Sequence, residues 1–255
     1  LPFDFSRGSS ATVINKDGLI ETVGSGEPRI DYKDDSKGAL LLEPSRTNLI
    51  TYSEDFSNAY WIKSGASVVG GFTSPSADSP LGAFKWVEGV SSGEKYIYRN
   101  LNGTSNTFSF YAKYNGTQYV AVSFDAGTNF SYFDLLNGVV GTVSDAINHP
   151  VKMIPLANGW FRCSVYDTDA SLGALIYLSK DGTTTVYTGN GSSGVYIYGA
   201  QLEELSYPTS YIPTNGAVAT RLADECTGAG NSTVFNGSEG VLYAEIAPLS
   251  DDGTD

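Results

Sequence analysis

Histidine, methionine and cysteine are nearly missing from this chain of 255 residues, which carries one His, one Met and two Cys. A lone histidine is far more often structural or exposed than catalytic, and His149, set before Pro150, excludes most Ser-His-Asp, Cys-His and histidine-rich metal arrangements within one chain. Cys163 and Cys226 lie far apart, and Cys163 falls inside a strand-like run. A buried free thiol is therefore the expectation, rather than a disulfide scaffold or a nucleophile. Lys and Arg number 15 against 28 Asp and Glu, a formal charge of −13. No basic stripe offsets that field, so nucleic acid and anionic membranes are not expected partners. No apolar run is long enough to cross a bilayer, and no basic, apolar leader opens the sequence. The Walker loop, Gly-x-Ser-x-Gly and Cys-x-x-Cys are all missing. The glycine-rich stretches at 24–26 and 191–194 lack the strand-turn-helix context that phosphate binding needs. Helical periodicity never lasts beyond a few turns. The chain opens on Leu1 and stops inside the acidic stretch 250–255, and it reads as a fragment of a longer polypeptide.

Glycine, tyrosine and phenylalanine are abundant instead, at 29, 17 and 12 residues. Asn-Gly recurs at Asn102, Asn115, Asn137, Asn158, Asn190, Asn215 and Asn236, and Asp-Gly at Asp17, Asp181 and Asp252. These dipeptides tolerate the positive φ angles of tight hairpin turns, and several sit between aromatic and β-branched runs. Period-two alternation marks strands at 83–88, 95–101, 107–114, 118–124, 130–135, 139–143, 151–155, 160–166, 173–179, 184–187 and 195–203. The fold class expected is all-β: an antiparallel β-sandwich of the jelly-roll, carbohydrate-binding-module-like kind. Residues 1–48 read as an irregular segment, with a short strand or two, that packs on or extends the sandwich of 49–214. Residues 215–255 read as a linker and the first strand, at 240–246, of a further β-domain, or as a strand docking back onto the sandwich.

Alternation also splits each strand into two faces. Phe108, Phe110, Ala112 and Tyr114 share one face, as do Val120, Val122 and Phe124, then Phe161, Cys163 and Val165, then Ala174, Ile176 and Leu178. These sets build an apolar core. The opposite faces mix Tyr, Arg, Lys and Ser. A concave sheet lined by Tyr111, Tyr119, Arg162, Tyr166 and Tyr177 offers rings for the C–H patches of a sugar and a planar cation for its hydroxyl rim. Tyrosine is also a favoured strand residue, and the same rings would serve to pack under residues 1–48 or against another subunit. Both readings stay open at this point. Paired carboxylates for glycoside cleavage have candidates in Asp125, Asp134, Asp167, Asp169, Glu203 and Glu204, but no spacing singles out a pair. No cofactor is called for; Ca²⁺ at Asp167 and Asp169, or at Glu203, lacks a defined motif.

An ordered succession of short motifs adds a resemblance. It begins with Phe5-Ser6-Arg7, Ser10-Ala11-Thr12 and Pro28-Arg29-Ile30-Asp31-Tyr32. Next come the run from Gly38 through Glu43-Pro44-Ser45-Arg46-Thr47-Asn48-Leu49, then Tyr52-Ser53-Glu54-Asp55-Phe56 and Trp61. Asn158-Gly159-Trp160-Phe161-Arg162, Gly199-Ala200-Gln201-Leu202-Glu203 and Tyr207-Pro208-Thr209-Ser210-Tyr211-Ile212-Pro213-Thr214 complete it. With these motifs nearly the whole chain resembles tail-fibre and receptor-binding proteins of tailed bacteriophages. The resemblance implies a virion component, exposed to the extracellular medium, that recognises a bacterial surface polysaccharide, capsule or lipopolysaccharide, without catalysis. It also implies a homotrimer and contact with other virion tail proteins. It does not point out ligand residues: Trp61 and Trp160 read as core or seam, and Arg46, Glu203 and Arg162 as partners or caps of buried loop backbone. A structural connector without glycan binding is the first alternative, and a polysaccharide depolymerase the second.

Overall fold

The structure, a computed structural model, describes residues 3–100, 106–124, 127–168 and 173–228. Its strands are almost all antiparallel neighbours, as the turn-rich sequence predicts. Six short strands come first: β1 (Asp4–Ser6), β2 (Ala11–Ile14), β3 (Ile20–Val23), β4 (Arg29–Asp31), β5 (Ala39–Leu41) and β6 (Arg46–Asn48). Then follow β7 (Ile62–Ser64), β8 (Ala66–Phe72), β9 (Ala83–Glu88), β10 (Ser92–Glu94), β11 (Tyr96–Asn100), β12 (Asn106–Asn115), β13 (Tyr119–Ser123), β14 (Ser131–Asp134) and β15 (Val139–Val143). The chain continues through β16 (Val151–Pro155), β17 (Trp160–Asp167), β18 (Gly173–Ser179), β19 (Val186–Thr188) and β20 (Gly194–Glu203), and ends with β21 (Ala219–Arg221) and β22 (Glu225–Thr227).

Two six-stranded antiparallel sheets stack face to face. One runs β15-β14-β13-β18-β11-β7, and the other β16-β17-β12-β20-β9-β8. Between them lies the apolar core, with Phe108, Phe110 and Ala112 of β12, Val120 and Val122 of β13, Cys163 and Val165 of β17, and Ile176 and Leu178 of β18. Trp61 and Trp86 fill the same layer, where Trp61 stacks on Phe56 with ring centroids 5.0 Å apart. The strand faces are therefore those that alternation predicts, save that Tyr114 is 39% exposed at the rim. Burial pushes the Cys163 thiol far up, so it stays protonated and inert. His149 is structural: it stacks on Phe124 and its Nε2 lies 3.3 Å from Asp167.

The glycines of the seven described Asn-Gly and Asp-Gly pairs all take positive φ. The residue before them does not, except at Asn158 (φ 59°), which precedes Gly159 (φ 75°) in the turn into β17. Two positive angles in succession are what a type I′ turn needs. Elsewhere the Asx side chain does different work. Asp181 Oδ1 accepts from the Thr183 and Thr184 amides at 2.9 Å, and Asn190 Oδ1 from the Ser192 and Ser193 amides at 2.8 Å. The turns are thus fixed by side-chain acceptors as well as by backbone freedom.

Residues 1–48 are more regular than the sequence reading held. They form three-to-four-residue strands, too short to leave an alternation pattern. They make a cap over the outer face of the second sheet: Ile14 and Ile20 pack on Tyr111, Trp160, Tyr198 and Tyr211. The expected linker after Thr214 is likewise not free where described. Strand β21 pairs with β6, and β22 pairs with β1. The reading of 240–246 as a strand falls outside the described residues.

What holds cap and return segment together is charge. Arg7 meets Asp224 at 2.9 Å; Arg29 reaches Glu43 at 2.8 Å and also Asp224; Arg221 lies 3.1 Å from Glu43. All five side chains are at most 3% exposed. Asn48 stitches the seam to the sandwich, donating to Ala200 O and Ile212 O and accepting from the Ile50 and Leu202 amides.

Candidate functional site

The five residues predicted to line one concave sheet do not share a surface. Tyr111, Arg162 and Tyr166 lie on the outer face of the second sheet, on β12 and β17, whereas Tyr119 and Tyr177 lie on the outer face of the first, on β13 and β18. A sandwich puts those two faces back to back, about 10 Å of core apart. Alternation assigns a residue to the outside of a sheet but does not say which sheet its strand joins. Tyr177 is 2% exposed, closed in by Tyr96 at 5.5 Å and Phe130 at 5.2 Å. Tyr119 is half-buried, its hydroxyl accepting from Gln118. Both are withdrawn from the site.

The other three come together in a cleft of about 290 Å³ between the cap and the second sheet. Register explains the floor. Tyr111 stands opposite Arg162, and Arg162 opposite Ile154; Ser109 opposite Ser164, and Ser164 opposite Lys152; Thr107 opposite Tyr166. Cross-strand neighbours on one face of a sheet are within side-chain reach, so these rows form one patterned surface. Thr12, Ile14 and Asp31 of the cap make the roof, and Tyr207 and Pro208 of the segment after β20 make the end wall.

That end wall is fastened from below. Glu203, fully buried, accepts from the Thr209 amide at 2.9 Å, from the Thr209 hydroxyl, and from Gln201 Nε2 at 2.6 Å. Gln201 Oε1 accepts from the Ile212 amide at 2.6 Å. Arg162 donates through Nη1 to Thr209 O at 2.7 Å and through Nη2 to Ser109 Oγ at 2.9 Å. Arg162 and Glu203 are thus caps of loop backbone, as the motif reading held, while Arg46, among the described residues, bonds the adjacent Ser45 O. Both terminal nitrogens of the Arg162 fork are spent, one on the wall and one on Ser109 of the floor, so Arg162 brings charge to the cleft rather than a free bidentate donor.

Other groups are unspent. Among the described residues, the hydroxyls of Tyr111, Tyr166 and Tyr207 and the Lys152 ammonium have no partner in the protein. Tyr111 is 1% exposed, its ring 5.5 Å from the Arg162 guanidinium carbon. Burial pushes its phenol pKa up, with Arg162 opposing, so it stays a neutral donor. Asp31 uses Oδ1 to hold the Ile14 and Lys33 amides, each at 3.3 Å, which leaves Oδ2 free. Burial raises the Asp31 carboxyl, with Lys33 opposing. Glu43, the second acid of the wall, is occupied by Arg29, Arg221, the Ser210 amide and the Ser210 hydroxyl. Lys152, Asp31 and Tyr207 were not foreseen as site residues. Lys152 carries a signal in sequence, since it alternates outward on 151–155. The other two do not, because tertiary folding alone lays the cap and the return segment over the sheet.

Glu43 sets a pH dependence. Burial works to raise its carboxyl, but Arg221 and Arg29, with both Ser210 bonds, hold it below the ordinary glutamate value of 4.5. A depressed folded-state pKa contributes stability above the unfolded value and loses it as pH falls through the folded one. The denaturation midpoint is expected to fall as pH drops below 4.5, and to fall less steeply in Glu43→Gln, as urea titrations between pH 3 and pH 6 will read.

Of the remaining acids, Asp134 holds the Leu136 and Asn137 amides at 3.0 and 2.9 Å. Asp167 faces His149, and Glu203 is enclosed by Thr209 and Gln201. Asp125 and Asp169 fall outside the described residues. Among the described residues no group of three or more His, Cys, Asp or Glu is placed to hold a metal ion. No family model matches this chain, and no curated protein shows significant similarity to it.

Proposed function

We propose that this chain is a non-catalytic glycan-recognition module of a tailed-bacteriophage tail fibre, with the cleft between cap and sandwich as its sugar seat. The observation that carries the binding reading is the convergence of unpartnered donors and acceptors in that cleft: the Tyr111, Tyr166 and Tyr207 hydroxyls, Lys152 Nζ and Asp31 Oδ2. Buried polar groups are normally satisfied within a protein, and the Tyr111 hydroxyl, on a side chain 1% exposed, is not. Beside Ile14, Ile154 and Pro208, it and the solvent-reaching groups around it suit a ligand that alternates hydroxyls with C–H patches. The cleft volume lies at the small end of ligand cavities, which run to roughly 300–1,000 Å³. It therefore suits a short stretch of a longer polymer. Glycosidase chemistry needs two available carboxyl groups, and here Glu43 is consumed by its arginines and Ser210, leaving Asp31 alone. The placement on a virion rests on the motif succession from Phe5 to Thr214. Three copies side by side would turn weak single-site affinity into avidity for a host surface polysaccharide, with other tail proteins as structural neighbours.

Purified capsule and lipopolysaccharide fragments, arrayed and probed with the intact chain, test this. Retention without shortening of the polymer is expected. Tyr166→Ala is expected to weaken retention about tenfold, on the scale of one lost ring contact of about 1–1.5 kcal/mol, with the melting temperature held. Release of short oligosaccharides would establish a depolymerase instead. A chain that binds no glycan at all, while folded, would establish a connector.

A further inference from the structure

The charge balance at the cleft runs against that of the chain. Over the whole sequence 28 acids face 15 Lys and Arg. Around the cleft and the wall behind it, Lys33, Lys152, Arg162, Arg7, Arg29 and Arg221 stand against Asp31, Asp34, Glu43, Glu203 and Asp224, six cations to five carboxylates. Glu43 is neutralised from behind, 2.8 Å from Arg29 and 3.1 Å from Arg221. Behind that wall the cluster holds three guanidinium groups, Arg7, Arg29 and Arg221, and one further carboxylate, Asp224. The buried group therefore carries one positive charge in excess. Arg29 Nε and Arg221 Nε have no hydrogen-bond acceptor among the described residues. Uncompensated charge in a poorly polarisable wall is costly and weakly screened, so its field extends into the adjoining cleft. Lys152, exposed and unpartnered at the cleft, is the group a ligand can reach.

From this arrangement we propose that the sugar taken here is anionic, a carboxylated unit of the uronic-acid class whose carboxylate meets Lys152 while its ring lies along Tyr166. The proposal rests on the reading of the cleft as a glycan site and narrows it to a ligand class. The seat is less acidic than the chain as a whole, whose net charge of −13 opposes acidic polymers and so favours engagement in one orientation.

The test is calorimetric titration of the intact chain with tetragalacturonate and with the same tetramer after carboxyl reduction, which keeps the hydroxyls and removes the charge. Tetragalacturonate is expected to bind about fivefold tighter at low salt, the scale of one well-placed exposed ion pair, and the advantage is expected to shrink at high salt. Lys152→Gln is expected to remove that advantage by weakening tetragalacturonate several-fold more than the reduced tetramer, and Lys152→Arg to retain it. Equal binding of the two tetramers, or equal weakening of both by Lys152→Gln, overturns the anionic assignment and leaves the glycan reading intact. Loss of both, together with no retention of any capsule or lipopolysaccharide fragment, sinks the glycan reading itself and the anionic assignment with it.

Discussion

Arg29→Met is expected to lower the unfolding free energy by about 3–5 kcal/mol, the range found when one partner is removed from a buried ion pair. Arg29 is fully buried and serves four acceptors: Thr12 O and Glu43 at 2.8 Å, the Ser210 hydroxyl at 2.7 Å, and Asp224. Methionine fills most of the volume and meets none of these. Glu43 and Asp224 would stay buried with Arg7 and Arg221 as their remaining cations. The damage is expected first in the cap. Amide exchange should rise in β2 to β5 and in 219–227, while the strands around Phe108 and Ile176 keep their protection. Arg29→Lys is not expected to rescue, because one ammonium cannot span the acceptors that a planar fork reaches. The exposed Lys33–Asp34 pair is the internal contrast: Asp34 is 81% exposed, and Asp34→Ala is expected to cost well under about 1 kcal/mol. An Arg29→Met protein with an unchanged urea midpoint and a protected cap would mean that apolar packing of Ile14 and Ile20, not the charge cluster, holds the cap down.

Gly194→Ala is expected to cost roughly 3 kcal/mol or more, beyond the usual range for an added methyl in a packed interior. The reason is not backbone conformation but proximity. Gly194 lies in β20, opposite Val87 of β9 on one side and Asn115 of β12 on the other. A Cβ placed there would sit 1.9 Å from Trp86 O and 2.8 Å from Trp86 C. Those atoms are backbone, so no rotamer change relieves the clash, and the β9–β20 pairing must open. Trp86 is fully buried in the core, so the displacement reaches the centre of the sandwich. Gly26→Ala supplies the comparison. Gly26 has φ +75° with nothing within 4 Å of a built Cβ; its substitution is expected to cost only the left-handed penalty of about 1–2 kcal/mol. Thermal melts of the two variants measure the difference directly. Equal shifts would mean that the two strands give way more cheaply than the packed geometry implies.

The two substitutions differ in how far they are visible in the chain alone. Arg29 lies in one of the motifs that carry the bacteriophage resemblance, and so do Glu43, Tyr207 and Glu203. In the structure Arg29, Glu43 and Glu203 serve architecture, clamping the cap and the 204–214 segment onto the sheet, while Tyr207 lines the cleft. Gly194 belongs to an ordinary-looking turn, Asn190 to Gly194, and nothing local tells it from Gly191. Strand β8 shows the same limit. Gly70 and Gly71 interrupt its pattern, and it was not foreseen, yet it pairs with β9 along the sheet edge.

Local physics written along the chain was enough to determine most strands of the sandwich, their two faces and the apolar layer between them, because a period of two is a property of neighbours in sequence. The same patterning placed Tyr111, Arg162 and Tyr166 on the outside of a sheet, and they do line the cleft. It placed Tyr119 and Tyr177 there too, and they lie on the other side of the molecule. Only the tertiary structure decided which strands share a sheet, which outer face the first 48 residues cover, and that Arg221 and Asp224 return to close that cover. These are contacts between residues up to about two hundred positions apart, and no periodicity encodes them. They arise because buried charges find partners wherever the chain can bring them, and the cleft is the space left where cap, sheet and return segment meet.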